Sequence, residues 1–123
     1  MYKILFRITT LKSSLNDVST STVTVPSGYT ANENSLRKNL KTVTLNYRIN
    51  NYVLAKRTSY NVGTVPNGYT PSKSIMTYCL IFESNGFPYT IGYVTISTTG
   101  AITILGNATI DGKGFVIYAC YVL

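Results

Sequence analysis

The side chains that most often carry enzyme chemistry are scarce in this sequence. Its 123 residues include no histidine, so the chain lacks the usual general base near neutral pH and every nucleophile pair that depends on one. A glycosidase needs two carboxylates flanking one bond, roughly 5 to 9.5 Å apart. The four acids lie in loop-like tracts or at strand ends, which favours solvated carboxylates: Asp17, Glu33, Glu83 and Asp111. We therefore expect no catalytic residue and no enzyme activity.

The two cysteines do not predict a metal site. A structural zinc ion needs four ligands from cysteine, histidine or acids, and Cys79 and Cys120 have no histidine to complete such a set. Both lie in apolar, strand-like runs, which favours free buried thiols; a disulfide between them is the alternative. There is also no phosphate loop and no dinucleotide fingerprint. The sequence thus predicts no metal and no cofactor.

The composition predicts a single all-β domain over residues 1–123. Hydrophobic residues make up 45% of the chain and charged residues only 12%, with eleven tyrosines and no tryptophan. Abundant Tyr, Thr, Val and Ile favour pleated, half-buried strands, whereas long helix formers are few. A chain of this length has room for one domain with a real core.

The chain is basic, with eleven Lys and Arg against four acids and a formal charge of +7. Such a charge attracts polyanions, including nucleic acid, anionic lipid and phosphate-bearing wall polymers, although it can serve solubility alone. The basic residues are too scattered for a nucleic-acid signature, which disfavours a basic nucleic-acid-binding β-barrel. No apolar run approaches ~18 residues, so we expect no membrane span, and residues 1–8 read as a strand rather than a signal sequence.

Alternating apolar positions predict strands along most of the chain. They occur at residues 2–8, 43–47 and 52–55, and Asn50-Asn51 between the last two predicts a tight hairpin. Residues 13–21 have loop composition, Val23 and Val25 suggest a short strand, and residues 35–41 could form a helical turn.

The second half predicts a series of hairpins. A strand over residues 75–83, apolar on both faces, ends at Asn85-Gly86, and residues 89–96 return beside it. Thr99-Gly100 and Asp111-Gly112 mark further turns, with a short strand near Ile110, before a final strand over residues 115–123. Strands every 8 to 12 residues with glycine turns indicate an antiparallel β-sandwich or barrel.

The final strand is apolar on both of its faces. A strand in an antiparallel sandwich normally turns one polar side to water, so the second face suggests an oligomer interface. A central barrel strand covered by a loop is the alternative. The predicted interface residues are Val116, Tyr118, Cys120 and Val122.

A seven-residue segment occurs twice, as T-V-P-S-G-Y-T at residues 24–30 and T-V-P-N-G-Y-T at residues 64–70. In each copy proline ends a strand and is expected to set φ at the first central position of a turn, with Ser or Asn second and glycine next. The copies represent either two similar strand-turn corners or a pair of ligand sites.

A tyrosine-rich, charge-poor surface suits binding, because a tyrosine ring offers a rigid apolar face and a hydroxyl at small entropic cost. Arg48, Lys56 and Arg57 flank the predicted Asn50-Asn51 hairpin and could meet an anionic glycan. The candidate ligand-binding residues are Tyr29, Arg48, Lys56, Arg57, Tyr60, Tyr69 and Tyr89.

Several of these segments resemble the C-terminal head domains of bacteriophage tail-fibre and receptor-binding proteins. The likeness rests on Y-R-I-N-N-Y-V-L at residues 47–54, G-T-V-P-N-G-Y-T-P at residues 63–71, the hairpin over residues 92–104 and the apolar C-terminal strand. It covers roughly residues 40–123. Such heads usually end a longer fibre, whereas residues 1–40 here offer only further strands.

The resemblance implies a jelly-roll-like β-sandwich head that forms a homotrimer and presents loops to a saccharide or protein on a bacterial surface. It implies a place in the virion, an extracellular particle assembled in the host cytoplasm, beside other virion proteins. It carries over no fixed ligand residues. The alternative within the virion is a structural component, such as a head-fibre, decoration or baseplate subunit without a receptor of its own.

Overall fold

The computed structural model describes residues 18–83, 86–107 and 111–123. In these residues the chain forms strands and turns without any helix, and none of the described segments is a helix long and apolar enough to cross a membrane. The strands are β1 Val18–Ser21, β2 Glu33–Asn39, β3 Thr42–Ile49, β4 Tyr60–Thr64, β5 Ile75–Phe82, β6 Pro88–Ile96, β7 Ala101–Ile104 and β8 Gly114–Val122.

All eight strands belong to one antiparallel sheet in the order β1-β2-β3-β8-β5-β6-β7-β4. The C-terminal strand β8 lies in the middle, paired with β3 on one side and β5 on the other. Strands adjacent in sequence pair antiparallel at β2–β3, β5–β6 and β6–β7, as alternating sequences separated by short turn segments predict.

The sheet curls so that its two halves enclose one core. Strands β3 and β4 are third and last in the strand order, yet the Tyr47 hydroxyl donates to the Val62 carbonyl at 2.6 Å. Gly63 makes this approach possible, because a Cβ there would lie 2.6 Å from Val23 Cγ1 and 3.1 Å from the Tyr47 hydroxyl. The predicted all-β antiparallel sandwich is therefore confirmed, with a single curled sheet supplying both layers.

The core consists of the inward-facing residues of strands β2 to β8 and of residues from the connecting segments, such as Leu54. Alternation places one side chain in two toward this interior. Its largest fully buried members are Tyr47, Phe115, Leu36, Leu45, Ile49, Leu54, Ile81, Ile96, Ile102, Ile104 and Ile117. The described residues thus form one hydrophobic core within a single chain.

The predicted hairpin at Asn50-Asn51 is wrong. Instead of turning back on β3, the chain continues alongside the residues that lead into β8: the Tyr52 N–H donates to the Lys113 carbonyl at 2.9 Å, and Leu54 pairs with Gly112. This course buries both Tyr52 and Leu54, which a reversal at the asparagines would not allow. Strand β3 forms its hairpin with β2, through Leu40 and its neighbour, with Leu40 at a φ of 56°.

Two further local predictions are corrected. Residues 35–41 do not form a helical turn, because Leu36 points into the core and its neighbours point outward, the alternation of a strand within β2. The predicted loop over residues 13–21 contains β1 in its described part. The predicted strands at residues 2–8 and near Ile110 lie outside the described residues.

Candidate functional site

The two copies of the seven-residue segment form matching turns. The Tyr29 N–H donates to the Pro26 carbonyl at 3.2 Å, and the equivalent bond from Tyr69 to Pro66 is 3.1 Å. Proline is therefore the first residue of each turn and not, as predicted, its first central residue. Glycine holds the second central position at a φ of 89° in both copies, the left-handed conformation that a type II turn requires there.

The surroundings of the two corner tyrosines differ. Tyr69 is buried, and the Lys38 ammonium lies 4.6 Å from its ring centre while donating to the Gly68 carbonyl at 2.9 Å. The Tyr121 hydroxyl donates to the Tyr69 carbonyl at 2.6 Å. Tyr69, a predicted ligand-binding residue, is thus covered by the subunit's own side chains.

Tyr29 instead leaves 40% of its surface exposed. Its ring stacks on Tyr52, with centroids 4.4 Å apart and an interplanar angle of 29°. Tyr52 in turn meets Tyr60 edge-on at 5.8 Å and Phe115 at 5.6 Å. The structure therefore brings the predicted residues Tyr29 and Tyr60 together around Tyr52, and we call these three the tyrosine cluster.

Sequence reasoning missed Tyr52, the buried centre of this cluster. It lies directly after the asparagine pair, where the assumed hairpin would have placed it on a strand beside β3. Burial raises the pKa of its hydroxyl, and the Tyr29 and Tyr60 hydroxyls add a smaller contribution in the same direction.

A basic loop lies beside the tyrosine cluster. The Tyr60 hydroxyl accepts a hydrogen bond from the Ala55 N–H at 3.3 Å, so the loop that begins at Ala55 returns to the cluster. Lys56 and Arg57 are exposed on it. Arg57 has a φ of 60°, uncommon for a residue other than glycine, and its N–H donates to the Asn107 carbonyl at 2.8 Å.

The remaining predicted ligand residues lie elsewhere. Arg48 is on the outer side of β3, where its guanidinium lies 4.6 Å from the Phe82 ring centre and its Nε donates to Asn50 Oδ1 at 2.6 Å. It belongs to the sheet surface rather than to the basic loop. Tyr89 is on β6, and its side chain lies outside what the structure describes.

The outer side of β8 carries the four predicted interface residues. Tyr118, Cys120 and Val122 are exposed, as an interface face would be in an isolated subunit. Val116 is only 3% exposed, so it is covered by neighbouring residues of the same chain and is not available as an exposed contact.

This exposed face continues across β5 and β6. Leu80 pairs with Ile91 and Tyr78 with Tyr93, whose ring is 5.4 Å away, and Leu80 also pairs with Val116. Between these strands lies a shallow cavity of about 130 Å³. We call the exposed residues the outer apolar face: Met76, Tyr78, Leu80, Ile91, Tyr93, Tyr118, Cys120 and Val122.

No charged residue occurs in the sequences of β5, β6 or β8. These three strands are neighbours in the sheet, so their shared surface has no charge of its own, and Glu33 and Arg48 border it beside Tyr118. Contiguous exposed apolar surface of this kind marks an interaction site.

The acids and cysteines form no metal cluster within the described ranges. Glu33 accepts a hydrogen bond from the Tyr118 hydroxyl at 3.1 Å, which raises the pKa of that tyrosine. Both cysteines are free, but only Cys79 is buried as expected, and burial raises the pKa of its thiol to about 11. Cys120 is exposed on the outer apolar face. Asp17 lies outside the described residues.

No protein-family model matches the sequence, and no curated protein matches it. The structure is similar to the crystal structure of the receptor binding protein (gp15) of Listeria phage PSA, with a TM-score of 0.64 and 14% sequence identity. The similarity covers 98% of this chain and 75% of that chain. The chain therefore has the fold of a phage receptor binding protein, as the sequence resemblance predicted.

Proposed function

We propose that this protein is the adhesion head of a bacteriophage and binds a saccharide or protein receptor on the surface of the host cell. The observation that carries the proposal is the fold, which matches a phage receptor binding protein over 98% of the chain. Exposed aromatic side chains beside a basic loop add a surface suited to recognition. In this role the protein is a virion component that contacts other virion proteins.

We further propose that three subunits associate through the outer apolar face. The eight side chains of this face are about half exposed, and half of the 150–250 Å² that a large side chain buries is roughly 100 Å² each. The face therefore offers on the order of 800 Å², the area that each partner gives to a stable interface. The strands β5, β6 and β8 contribute no charge of their own to this face, and the charged groups that border it are Glu33, which bonds Tyr118, and Arg48, which pairs with Val116.

The proposed role is binding without catalysis. The absence of histidine from the sequence and the use of Glu33 as a hydrogen-bond acceptor for Tyr118 both support it. The competing role is that of a structural virion subunit without a receptor, and binding to whole cells separates the two roles.

Binding to whole cells tests the adhesion function. Fluorescently labelled protein is mixed with a panel of bacterial strains that differ in surface polysaccharide, and labelled cells are counted by flow cytometry. We expect strain-restricted labelling that unlabelled protein competes away. A protein that labels none of the strains would contradict the adhesion function and favour the structural role.

A further inference from the structure

We propose that the tyrosine cluster is a saccharide-binding site in which the exposed ring of Tyr29 stacks on the apolar face of a pyranose. The choice of ligand rests on the proposed adhesion function, and the inference names where and how that function recognises its receptor.

The repeated corner provides an internal comparison for Tyr29. Both corners place a tyrosine after the same turn, with glycine at the same φ of 89°. At the second corner the ring of Tyr69 is covered by the Lys38 ammonium, and the residue is only 9% exposed. At the first corner the equivalent ring is 40% exposed. The turn itself therefore does not require exposure, and Tyr29 presents a face that its counterpart keeps covered.

The ring of Tyr29 is held in place before any ligand arrives. Its backbone N–H is fixed by the turn bond to Pro26, and the inner face of the ring packs on Tyr52. Tyr52 is itself fixed by edge contacts with Tyr60 and Phe115. A ligand that stacks on the outer face thus orders little that is not already ordered, which favours binding.

The positive charges of the basic loop favour a saccharide over a cation as the ligand of this aromatic face. A cation would be attracted to the ring, but Lys56 and Arg57 on the adjoining loop oppose it. A saccharide instead brings apolar C–H groups to the exposed face of the Tyr29 ring. The basic loop tolerates a neutral sugar and attracts one that carries a carboxylate or phosphate.

A nucleobase would also stack on a tyrosine, but strand-binding proteins use successive aromatic platforms along a basic groove. Here a single exposed ring stands over a buried one, which suits one sugar unit better than a run of bases. Single-stranded DNA is accordingly a probe in the test.

The experiment is an array of bacterial surface polysaccharides, together with oligothymidine and the whole-cell assay, applied to four proteins. These are the wild type, Tyr29→Ala, Tyr29→Phe and Val53→Ala. Val53 is an exposed neighbour of the cluster with no part in it, so its variant serves as the matched control. Thermal unfolding of each variant verifies that it folds.

We expect the wild type and the Val53 variant to bind the same polysaccharides equally. Tyr29→Ala should lose about tenfold in binding or more, because the stacked ring is gone, and Tyr29→Phe should recover most of the loss since the ring returns. Folded Tyr29→Ala that binds polysaccharide and cells as the wild type does would overturn the site, and the adhesion function would stand.

Two other outcomes would overturn the inference. Cell labelling that protease treatment of the cells abolishes, without binding to any polysaccharide, identifies a protein receptor and leaves adhesion intact. Binding to oligothymidine that depends on Tyr29, without binding to cells, rejects both the saccharide site and the adhesion function.

Discussion

Thr24 and Thr64 exchange both of their backbone hydrogen bonds, at 2.8 and 3.1 Å. They are the first residues of the two repeated segments, so the copies pair with each other in antiparallel fashion at their starting points. Thr24 follows β1 and Thr64 ends β4, and β1 and β4 are the two edge strands of the sheet. The repeat therefore closes the curled sheet, a role that neither copy reveals alone.

Breaking this closure should destabilise the fold. Thr24→Pro removes the N–H that donates to Thr64 and should lower the free energy of unfolding by about 3 kcal/mol. Thr24→Ala keeps both backbone bonds and changes only an exposed side chain, so its effect should stay within about 0.5 kcal/mol. Urea unfolding followed by tyrosine fluorescence measures both. Equal stabilities would show that the pair does not hold the sheet closed.

The buried hydrogen bond from Tyr121 to the Tyr69 carbonyl should stabilise the second corner. Tyr121→Phe leaves that carbonyl without this donor, and we expect a loss of about 1–3 kcal/mol. Tyr118→Phe removes a hydroxyl that bonds Glu33 at the exposed surface, and it should cost less than about 1 kcal/mol. Chemical unfolding of the two variants compares the same chemical change in buried and exposed settings, and a reversed order would contradict the assignment.

Stability should fall at alkaline pH. Burial raises the pKa of Tyr47 and of Tyr121 from 10.0 to about 12. Below pH 10.0 both hydroxyls are protonated whether the chain is folded or not, so the stabilisation is complete there. As the pH rises toward 12 the unfolded chain ionises first, and each tyrosine should remove up to about 1.4 kcal/mol per pH unit. Urea midpoints across this range measure the decline, which should be shallower in Tyr121→Phe.

Association should depend on the outer apolar face. Light scattering of the wild type should give about three times the subunit mass of 13.5 kDa. Tyr78→Lys places a charge within the face and should yield monomers, whereas Val53→Lys, the same change at an exposed apolar residue elsewhere, should not. A monomeric wild type at high protein concentration would reject the trimer.

Cysteine labelling provides an independent test of the proposed interface. Cys79 is buried with its thiol pKa raised to about 11 and should react slowly with maleimide in every variant. Cys120 is exposed in the isolated chain. In the proposed trimer it should be covered and react slowly, whereas in monomeric Tyr78→Lys it should react rapidly. Rapid labelling of Cys120 in the wild type would place that cysteine outside the interface.

The basic loop should make receptor binding sensitive to salt if the receptor is anionic. Replacing Lys56 and Arg57 together by Gln should weaken cell binding at low ionic strength and flatten its salt dependence, because screening no longer removes an attraction. Replacing Lys73 and Lys113 by Gln changes the net charge equally at other exposed positions. Equal losses in the two double variants would show an effect of net charge alone.

The fold class could be predicted because it depends on composition and alternation, which are properties of each segment by itself. The hairpin predicted at the asparagine pair is wrong because its local turn preference competes with a distant partner: Gly112 pairs with Leu54, so the chain continues past the asparagines. Leu36 and Leu40 are four residues apart, a helical spacing, yet β3 supplies a strand partner for β2. Pairing with strands distant in sequence or next in the sheet thus determines the conformation of both segments.

The candidate site was predictable only in part for the same reason. Tyr29 and Tyr60 could be singled out from residue type, but their meeting at Tyr52 depends on a chain path that no local pattern encodes. Conversely, the two apolar sides of β8 were visible in the sequence, because alternation assigns them without knowledge of any neighbour.

The hydrophobic core of the described residues forms within one chain, and the outer apolar face lies on central strands rather than on an open edge. In the proposed assembly, folding and association are therefore separable events. Dilution should release folded single chains before it unfolds them, and substitutions on the outer apolar face should change the strength of association while leaving the fold of each chain unchanged.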